Sequence, residues 1–211
     1  MEVVAFMIDR LDDLVALAAE HAWNVTFSMA IAIVLGVIVG ILITYHDRLA
    51  EIVLYIAGII LTIPSIALFG LFIPILGIGF KPAVAALILY AQLPILRNTY
   101  VGIKEVDRAI IEAGRGMGMT ELQLLYRVKL PLALPVIMAG IRVSVVMIVG
   151  IAAIASYIGA GGLGEYIFRG ISSVNDKMVI TGAIWVAAFA LLVDVLLGQG
   201  ERRLVPKGLR E

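Results

Sequence analysis

Several residue types that build metal sites and charged binding surfaces are scarce in this 211-residue chain. It has no cysteine, which excludes a disulfide framework and cysteine-ligated metals. Its two histidines, His21 and His46, are far apart, so we predict no bound metal. Only 15% of the residues are charged and the net charge is zero. Because no basic patch alternates with aromatic residues, we expect no nucleic-acid partner.

Catalytic signatures are also missing. The sequence contains neither H-E-x-x-H nor G-x-S-x-G, so an intramembrane enzyme is not expected. It lacks the phosphate loop G-x-x-x-x-G-K-[ST], so this chain cannot supply an ATPase of its own. The segment Gly159–Gly164 fits G-x-G-x-x-G, but a dinucleotide site requires a preceding strand, and an apolar stretch precedes this segment.

Long apolar stretches dominate what is present. Hydrophobic residues make up 62% of the chain, whereas soluble domains have about 45–50%. The stretches long enough to cross a bilayer are Trp23–Thr44, Ile52–Ile75, Pro82–Leu96, Leu132–Ala155 and Met178–Leu197. They predict an all-α integral membrane protein with five transmembrane helices. A secondary carrier that works alone would need internal repeats and more spans.

Basic residues indicate the orientation of the spans. Lys and Arg are concentrated in segment 97–129 and after the last span. The opposite side has only Arg10, Lys81, Arg169 and Lys177. Because cytoplasmic loops are enriched in basic residues, we place the N-terminus outside and a tail, 201–211, inside. Apolar residues recur every three or four positions in segment 1–20, which predicts an amphipathic helix on the outer surface.

The loop 101–131 is the most informative polar segment. Asp107 can cap a first helix. Small and apolar residues then recur at a spacing of four, namely Ala109, Ala113 and Met117. Gly118 fits a helix stop because glycine adopts the left-handed conformation at little cost. Thr120 begins a T-x-x-Q capping box that starts a second helix, and Pro131 either ends that helix or opens the next span.

This loop resembles the signature of ABC-importer permeases, which is E-A-A, three residues, G, nine residues and I-x-L-P. The matching residues are Glu112, Ala113, Gly118, Leu130 and Pro131, with Gly114 in place of the second alanine and Val128 in place of the isoleucine. In that family the loop is the coupling helix, which docks in a groove of the ATPase subunit. The resemblance implies that the coupling residues are Glu112, Ala113, Gly114, Arg115, Met117 and Gly118. The alternative is an ordinary amphipathic loop on the membrane surface.

Other segments resemble the permeases of Opu-type osmoprotectant importers, which carry glycine betaine, carnitine and choline. The most similar segments are 63–67, 93–99, 158–164 and 167–171, and the likeness covers about residues 21–208. It implies a type I permease domain over residues 21–200. It also implies that an extracellular binding protein delivers the substrate. Methionine-importer permeases share the five-span plan but match less well after Gly164, so a methionine or other amino-acid importer is the alternative.

The resemblance also implies the remaining parts of the assembly. These are a second permease copy or paralogue, two ATPase subunits or domains that bind ATP and Mg²⁺, and the extracellular binding protein. The location implied is the cytoplasmic membrane of a bacterium or archaeon. We predict no cofactor in this chain and no catalytic residue.

Prolines, glycines and aromatic residues indicate where a substrate could pass. Pro64, Pro74 and Pro94 are predicted to interrupt the second and third spans, which leaves backbone groups that must face protein or a water-filled cavity. The segment around the first break is either pathway lining or a packed kink. Segment 156–176 predicts an outer glycine-rich loop followed by a re-entrant or interfacial helix. The candidate pathway residues are Pro64, Ser65, Tyr90, Tyr157, Gly161 and Gly162.

Two charged residues lie inside predicted spans, Arg142 in the fourth and Asp194 in the fifth. Both are expected near the cytoplasmic side, where they pair with each other, bind backbone carbonyls or extend to the surface. A proton-coupled carrier would place carboxylates nearer the middle of the membrane. The two residues therefore do not favour proton coupling.

Overall fold

Helices form nearly all of the chain that the structure describes. The computed structural model describes the backbone of residues 2–204 and the side chains of residues 2–201, and these residues contain no strand. The helices are α1 Glu2–Asp9, α2 Leu11–Ile43, α3 Asp47–Thr62, α4 Ser65–Leu76, α5 Phe80–Lys104, α6 Arg108–Gly116, α7 Glu121–Leu124, α8 Leu130–Ala155, α9 Gly164–Ser172 and α10 Asp176–Leu204. The predicted all-α class is confirmed.

One of the predicted spans is bent. Within the described residues, α2, α5, α10 and the stretch Glu121–Ile158 are long and apolar enough to cross a membrane. Helices α3 and α4 pass that test only as a pair, and they bend by 99°. Only Pro64 lies at a helix break, because Pro74 lies inside α4 and Pro94 inside α5. The prediction that all three prolines interrupt their spans is therefore wrong.

The N-terminal boundary also differs from the prediction. Helix α1 ends at Asp9, and α2 then continues without a break through the first apolar stretch, so residue 20 is not a helix end. The sequence around that residue has no glycine or proline that would stop a helix.

Glu2 binds Lys177 at the start of α10, with 2.8 Å between carboxylate and ammonium. This hydrogen bond lowers the pKa of Glu2. Most of the predicted tail 201–211 lies outside the described residues.

Helices α2, α5 and α8 form the core, with α4 and α10 against it. A strip of small residues on α2 predicts close helix packing, either within one chain or between copies. The strip consists of Ser28, Ala32, Gly36 and Gly40, all of which are buried. A Cβ atom added to Gly36 would lie 2.6 Å from Ile95, and one added to Gly40 would lie 2.6 Å from Thr99. The strip therefore packs against α5 of the same chain.

Large apolar side chains cover the outside of the bundle. Val34 and Ile38 of α2 and Leu191 and Val195 of α10 are all more than half exposed. So many exposed large apolar side chains are unusual for a soluble monomer. It agrees with a chain whose outer surface contacts lipid or another membrane protein.

Candidate functional site

The first half of the candidate coupling loop is a capped helix. The Asp107 carboxylate accepts a hydrogen bond of 2.8 Å from the backbone N–H of Ala109, as the sequence predicts. A cap of this type contributes about 1 kcal/mol to helix stability. Ile110, Ala113 and Met117 are all exposed, and Met117 is 72% exposed. This spacing places them on one side of α6, away from the bundle.

Gly118 ends this helix in the conformation that the sequence predicts. Its φ is +82°. The N–H of Met119 donates to the carbonyl of Gly114 at 3.1 Å, and the N–H of Gly118 donates to the carbonyl of Arg115 at 2.9 Å. This pair of bonds is the Schellman motif. A Cβ atom on Gly118 would have no atom within 4 Å, so backbone conformation alone accounts for glycine at this position.

The second half of the loop runs directly into a membrane helix. Thr120 caps α7 through the predicted capping box, in which both reciprocal hydrogen bonds to Gln123 are formed. A π-helical turn, Leu125–Lys129, joins α7 to α8, and Pro131 lies in the first turn of α8. Pro131 therefore opens the span rather than ending the loop helix. The wider π turn provides room for the proline ring, which would clash with the carbonyl four residues earlier in a regular helix.

Two of the predicted coupling residues face their own chain. Gly114 is buried, and a Cβ atom there would lie 2.6 Å from Leu124 Cδ2. The expectation that Gly114 is presented to the ATPase is wrong, because α6 and α7 pack together at this residue. Arg115 binds Glu121 at 2.6 Å, which ties the two halves of the loop together. Glu112 is exposed and forms no ion pair with the described residues.

The outer glycine-rich loop is held by the first membrane helix. Gly159, Gly161 and Gly162 have φ values of +79°, +74° and +91°. The side-chain amide of Asn24 donates to the carbonyl of Ala160 at 2.8 Å. A Cβ atom on Gly161 would lie 2.5 Å from the Glu20 carboxylate. Both the positive φ and this close approach require glycine in the loop.

His21 lies beneath the same loop, a position that the sequence analysis did not predict. It is fully buried, and its Nε2 is 3.1 Å from the carbonyl oxygen of Val149 in α8. Because a carbonyl only accepts, Nε2 is the donor in this contact. A Cβ atom on Gly162 would lie 3.0 Å from Nδ1. The only available signal was the polar pattern E-H-x-x-N at the start of the first apolar stretch.

The break between α3 and α4 is closed by a hydrogen bond from α5. Tyr90 is 2% exposed, and its hydroxyl donates to the carbonyl of Ile63 at 2.5 Å. This bond satisfies a carbonyl that the break at Pro64 would otherwise leave without a partner. Tyr90 is therefore a packing residue and does not line a pathway here. Pro64 is exposed and Ser65 is half-buried.

Tyr157 remains accessible beside the glycine-rich loop. It is 63% exposed, and its ring centroid lies 5.2 Å from that of Phe168 in α9. Helix α9 confirms the short helix predicted after the glycines. Tyr166 of α9 is buried, and this burial, assisted by the nearby Asp13 carboxylate, raises its pKa. Tyr157, Gly161 and Gly162 thus lie in one segment, between α8 and α9, whereas Pro64 and Ser65 lie at the bend between α3 and α4.

The two charged residues of the spans bind each other. Arg142 Nε and Nη2 lie 2.6 Å and 2.9 Å from the two carboxylate oxygens of Asp194. Glu201 lies 3.7 Å from the same guanidinium. The guanidinium lies against Gly198, where a Cβ atom would be 3.3 Å away. Of the predicted alternatives for these charges, mutual pairing is the one observed.

A bundle of membrane-spanning helices with one broken span and a two-helix polar loop defines the permease subunit of an ABC importer with the type I fold. The chain belongs to the family of binding-protein-dependent transport system inner membrane components, whose sequence profile matches residues 32–206. The fold and the family predicted from the sequence are confirmed. The chain is accordingly a multi-pass membrane protein and a transport subunit.

Individual relatives are similar over nearly the whole length. The chain is 46% identical to the osmoprotectant import permease protein OsmW of Salmonella typhimurium, over 100% of both chains. It is 40% identical to the glycine betaine/carnitine/choline transport system permease protein OpuCB of Bacillus subtilis, over 99% of this chain and 96% of the relative. A chain of the inward-facing MetNI methionine ABC transporter superposes with a TM-score of 0.83 at 25% identity, covering 94% of this chain and 99% of that chain.

Proposed function

We propose that this chain is the membrane-spanning subunit of an ATP-driven importer of quaternary-amine osmoprotectants, such as glycine betaine, carnitine and choline. The observation that carries the proposal is the similarity to relatives named for these substrates. They align with 99% or more of this chain at 40% and 46% identity. The positions that shape the coupling loop and the outer glycine loop lie within the aligned length.

The proposal assigns the remaining functions to partner subunits. ATP and Mg²⁺ belong to two ATPase subunits or domains, and initial substrate recognition belongs to an extracellular binding protein. The family description as binding-protein-dependent supports the assignment of an extracellular binding protein. Exposed apolar side chains on the coupling loop support the assignment of ATPase partners, since Ile110, Met117 and Leu122 offer a surface suited to a protein contact. A second copy or a paralogue would complete the pathway, because symmetric dimers are the commonest closed assembly.

The orientation follows from the basic residues of the sequence. We place the chain in the cytoplasmic membrane of a bacterium or archaeon, with the N-terminus outside and loop 101–131 inside. Closure of the ATPase pair would push on α6. The Gly118 turn and the ion pair between Arg115 and Glu121 keep α6 and α7 together. The displacement would then enter α8, whose far end leads to the outer glycine loop.

A methionine or other amino-acid importer is the second candidate. The MetNI superposition favours it, because nearly all of both chains share one fold. The identity in that comparison, 25%, is well below the 46% shared with the osmoprotectant permease. The osmoprotectant proposal is therefore the better supported one.

Uptake by the reconstituted complex distinguishes the two candidates. A tagged permease is purified with its partner ATPase, placed in liposomes with ATP inside, and supplied with the binding protein. Radiolabelled glycine betaine, carnitine, choline and methionine are then compared. We expect ATP-dependent uptake of at least one quaternary amine and none of methionine. Uptake of methionine alone would contradict the proposal, and failure of any ATPase to co-purify would contradict the assignment of partners.

A further inference from the structure

A cleft lies between α3 and α5, beside the bend at Pro64 and separate from both loops. Its volume is 560 Å³. Small-molecule sites usually measure about 300–1,000 Å³, so the cleft is large enough for a compact solute. The side chains that decide its chemistry are Tyr55 and Arg97, on opposite walls, and Gly58 leaves the α3 wall open.

Arg97 is the only charged residue in the cleft lining. It is exposed and forms no ion pair with any residue whose side chain the structure describes. Arg115 and Arg142 each bind a carboxylate of this chain. Arg108 and Arg127 also form no ion pair with the described residues, so Arg97 is distinguished by its place in the cleft lining. A guanidinium binds a carboxylate through two parallel hydrogen bonds, which a single ammonium cannot reproduce. Arg97 therefore offers a site for a carboxylate that the chain itself does not supply.

The α3 wall offers an aromatic surface to the other end of such a solute. Tyr55 is 71% exposed and lines the cleft. Quaternary ammonium groups bind the faces of aromatic rings through cation–π attraction. One turn further along α3, a Cβ atom on Gly58 would meet no atom within 4 Å. The cleft lining contains no acidic side chain, so a cation has only the ring and neutral groups as partners.

We propose that this cleft is a transient binding site for zwitterionic quaternary amines, in which Arg97 binds the carboxylate and Tyr55 faces the ammonium group. This proposal rests on the proposed function and concerns the passage of substrate after the binding protein has released it. Glycine betaine and carnitine have both charged groups. Choline has the quaternary ammonium but a hydroxyl in place of the carboxylate, so its passage would not depend on Arg97.

The uptake of glycine betaine and carnitine relative to choline, measured in proteoliposomes, tests the role of the Arg97 guanidinium. Arg97→Gln removes the charge, whereas Arg97→Lys keeps the charge but not the paired hydrogen bonds. We expect Arg97→Gln to lower uptake of glycine betaine and carnitine about tenfold relative to choline, with Arg97→Lys in between. Membrane insertion and ATPase co-purification are measured alongside, because basic residues of inner loops also set orientation. An equal loss for all three amines would assign Arg97 to orientation, lipid anchoring or assembly and overturn the proposal.

A second pair of variants tests whether the cleft must be open. Gly58→Leu places a bulky side chain in the cleft at a position where a Cβ atom meets nothing within 4 Å, and Gly70→Leu on α4 is the matched control, since a Cβ atom there also meets nothing within 4 Å. We expect slower uptake of all three amines in Gly58→Leu and near-normal uptake in Gly70→Leu. Normal uptake in Gly58→Leu would overturn the proposal. A wild-type complex that carries none of the amines overturns the proposed function as well. Normal wild-type transport, with the same uptake of glycine betaine and carnitine relative to choline in Arg97→Gln, overturns only the proposed binding site in the cleft.

Discussion

Three glycines of the coupling loop have three different physical roles, although only four positions separate the first from the last. Gly116 is helical, and a Cβ atom there would meet nothing within 4 Å. Gly118 has equally open surroundings, but its φ is +82°. Gly114 is packed against Leu124, only 2.6 Å from where its Cβ atom would be. Alanine at each position therefore tests helix propensity, backbone conformation and packing separately.

The three substitutions are expected to change the stability of the loop by different amounts and in different directions. Gly118→Ala forces a side chain into the left-handed region at a cost of about 1–2 kcal/mol, with no steric cost in addition. Gly116→Ala replaces a poor helix former and stabilises α6 by up to about 1 kcal/mol. Gly114→Ala overpacks the contact with Leu124, which costs about 1–3 kcal/mol. Since 1.4 kcal/mol is a factor of about ten in an equilibrium constant, opening of the loop should become about 5–30 times more frequent in Gly118→Ala.

Hydrogen exchange of the reconstituted permease measures this opening. The amides of Met117 and Met119 donate to carbonyls of α6, so their protection reports whether the turn is closed. ATPase co-purification and substrate-stimulated hydrolysis then measure the effect on coupling. We expect Gly118→Ala to weaken both and Gly118→Asn to weaken them less, because asparagine tolerates positive φ. Equal exchange in Gly116→Ala and Gly118→Ala, or full coupling in Gly118→Val, would refute the reasoning.

Other contacts can be tested in the same preparations. Tyr90→Phe removes the hydrogen bond at the bend, so stability in detergent should fall by about 1–3 kcal/mol with substrate ratios unchanged; a changed ratio would show that the ring touches substrate. The Asn24 side-chain amide donates to the carbonyl of Ala160 and holds the loop in place. Asn24→Ala should therefore speed labelling of a cysteine introduced at position 160 of this otherwise cysteine-free chain, and an unchanged labelling rate would count against the contact. Asp194→Asn leaves the Arg142 guanidinium without this carboxylate, so it should destabilise more than joint replacement of Arg142 and Asp194 by Met and Leu, and Arg142→Met alone completes the comparison. Additive effects would argue against an interacting pair.

Features that depend on nearby residues could be predicted from the sequence. The Asp107 cap, the Thr120 capping box and the Gly118 helix stop each involve residues at most five positions apart, and each has a definite residue signature. The apolar stretches gave the membrane spans because their length must match the bilayer. The glycine-rich loop predicted in segment 156–176 contains Gly161 and Gly162, and both have positive φ.

Contacts between distant segments could not be predicted in this way. Asn24 and Ala160 are 136 residues apart, and no periodicity connects them. The same holds for Tyr90, a candidate pathway residue, whose hydroxyl donates to the carbonyl of Ile63, 27 residues away. Gly114 lay in a recognised motif, but the side it faces depends on Leu124 of the next helix. Motifs identify a segment, whereas burial depends on which other segments pack against it.

The close packing of α5 against α8 decides how motion at the coupling loop would spread. Helix α5 leads into the loop and α8 leaves it. A Cβ atom on Gly140 of α8 would lie 2.7 Å from the carbonyl oxygen of Pro94 in α5, and the Ser144 hydroxyl donates to the carbonyl of Ala91 at 3.0 Å. Helices this close have no room to slide past each other, so a push on the loop should move both together. Relative motion would then be concentrated at the 99° bend beside Pro64.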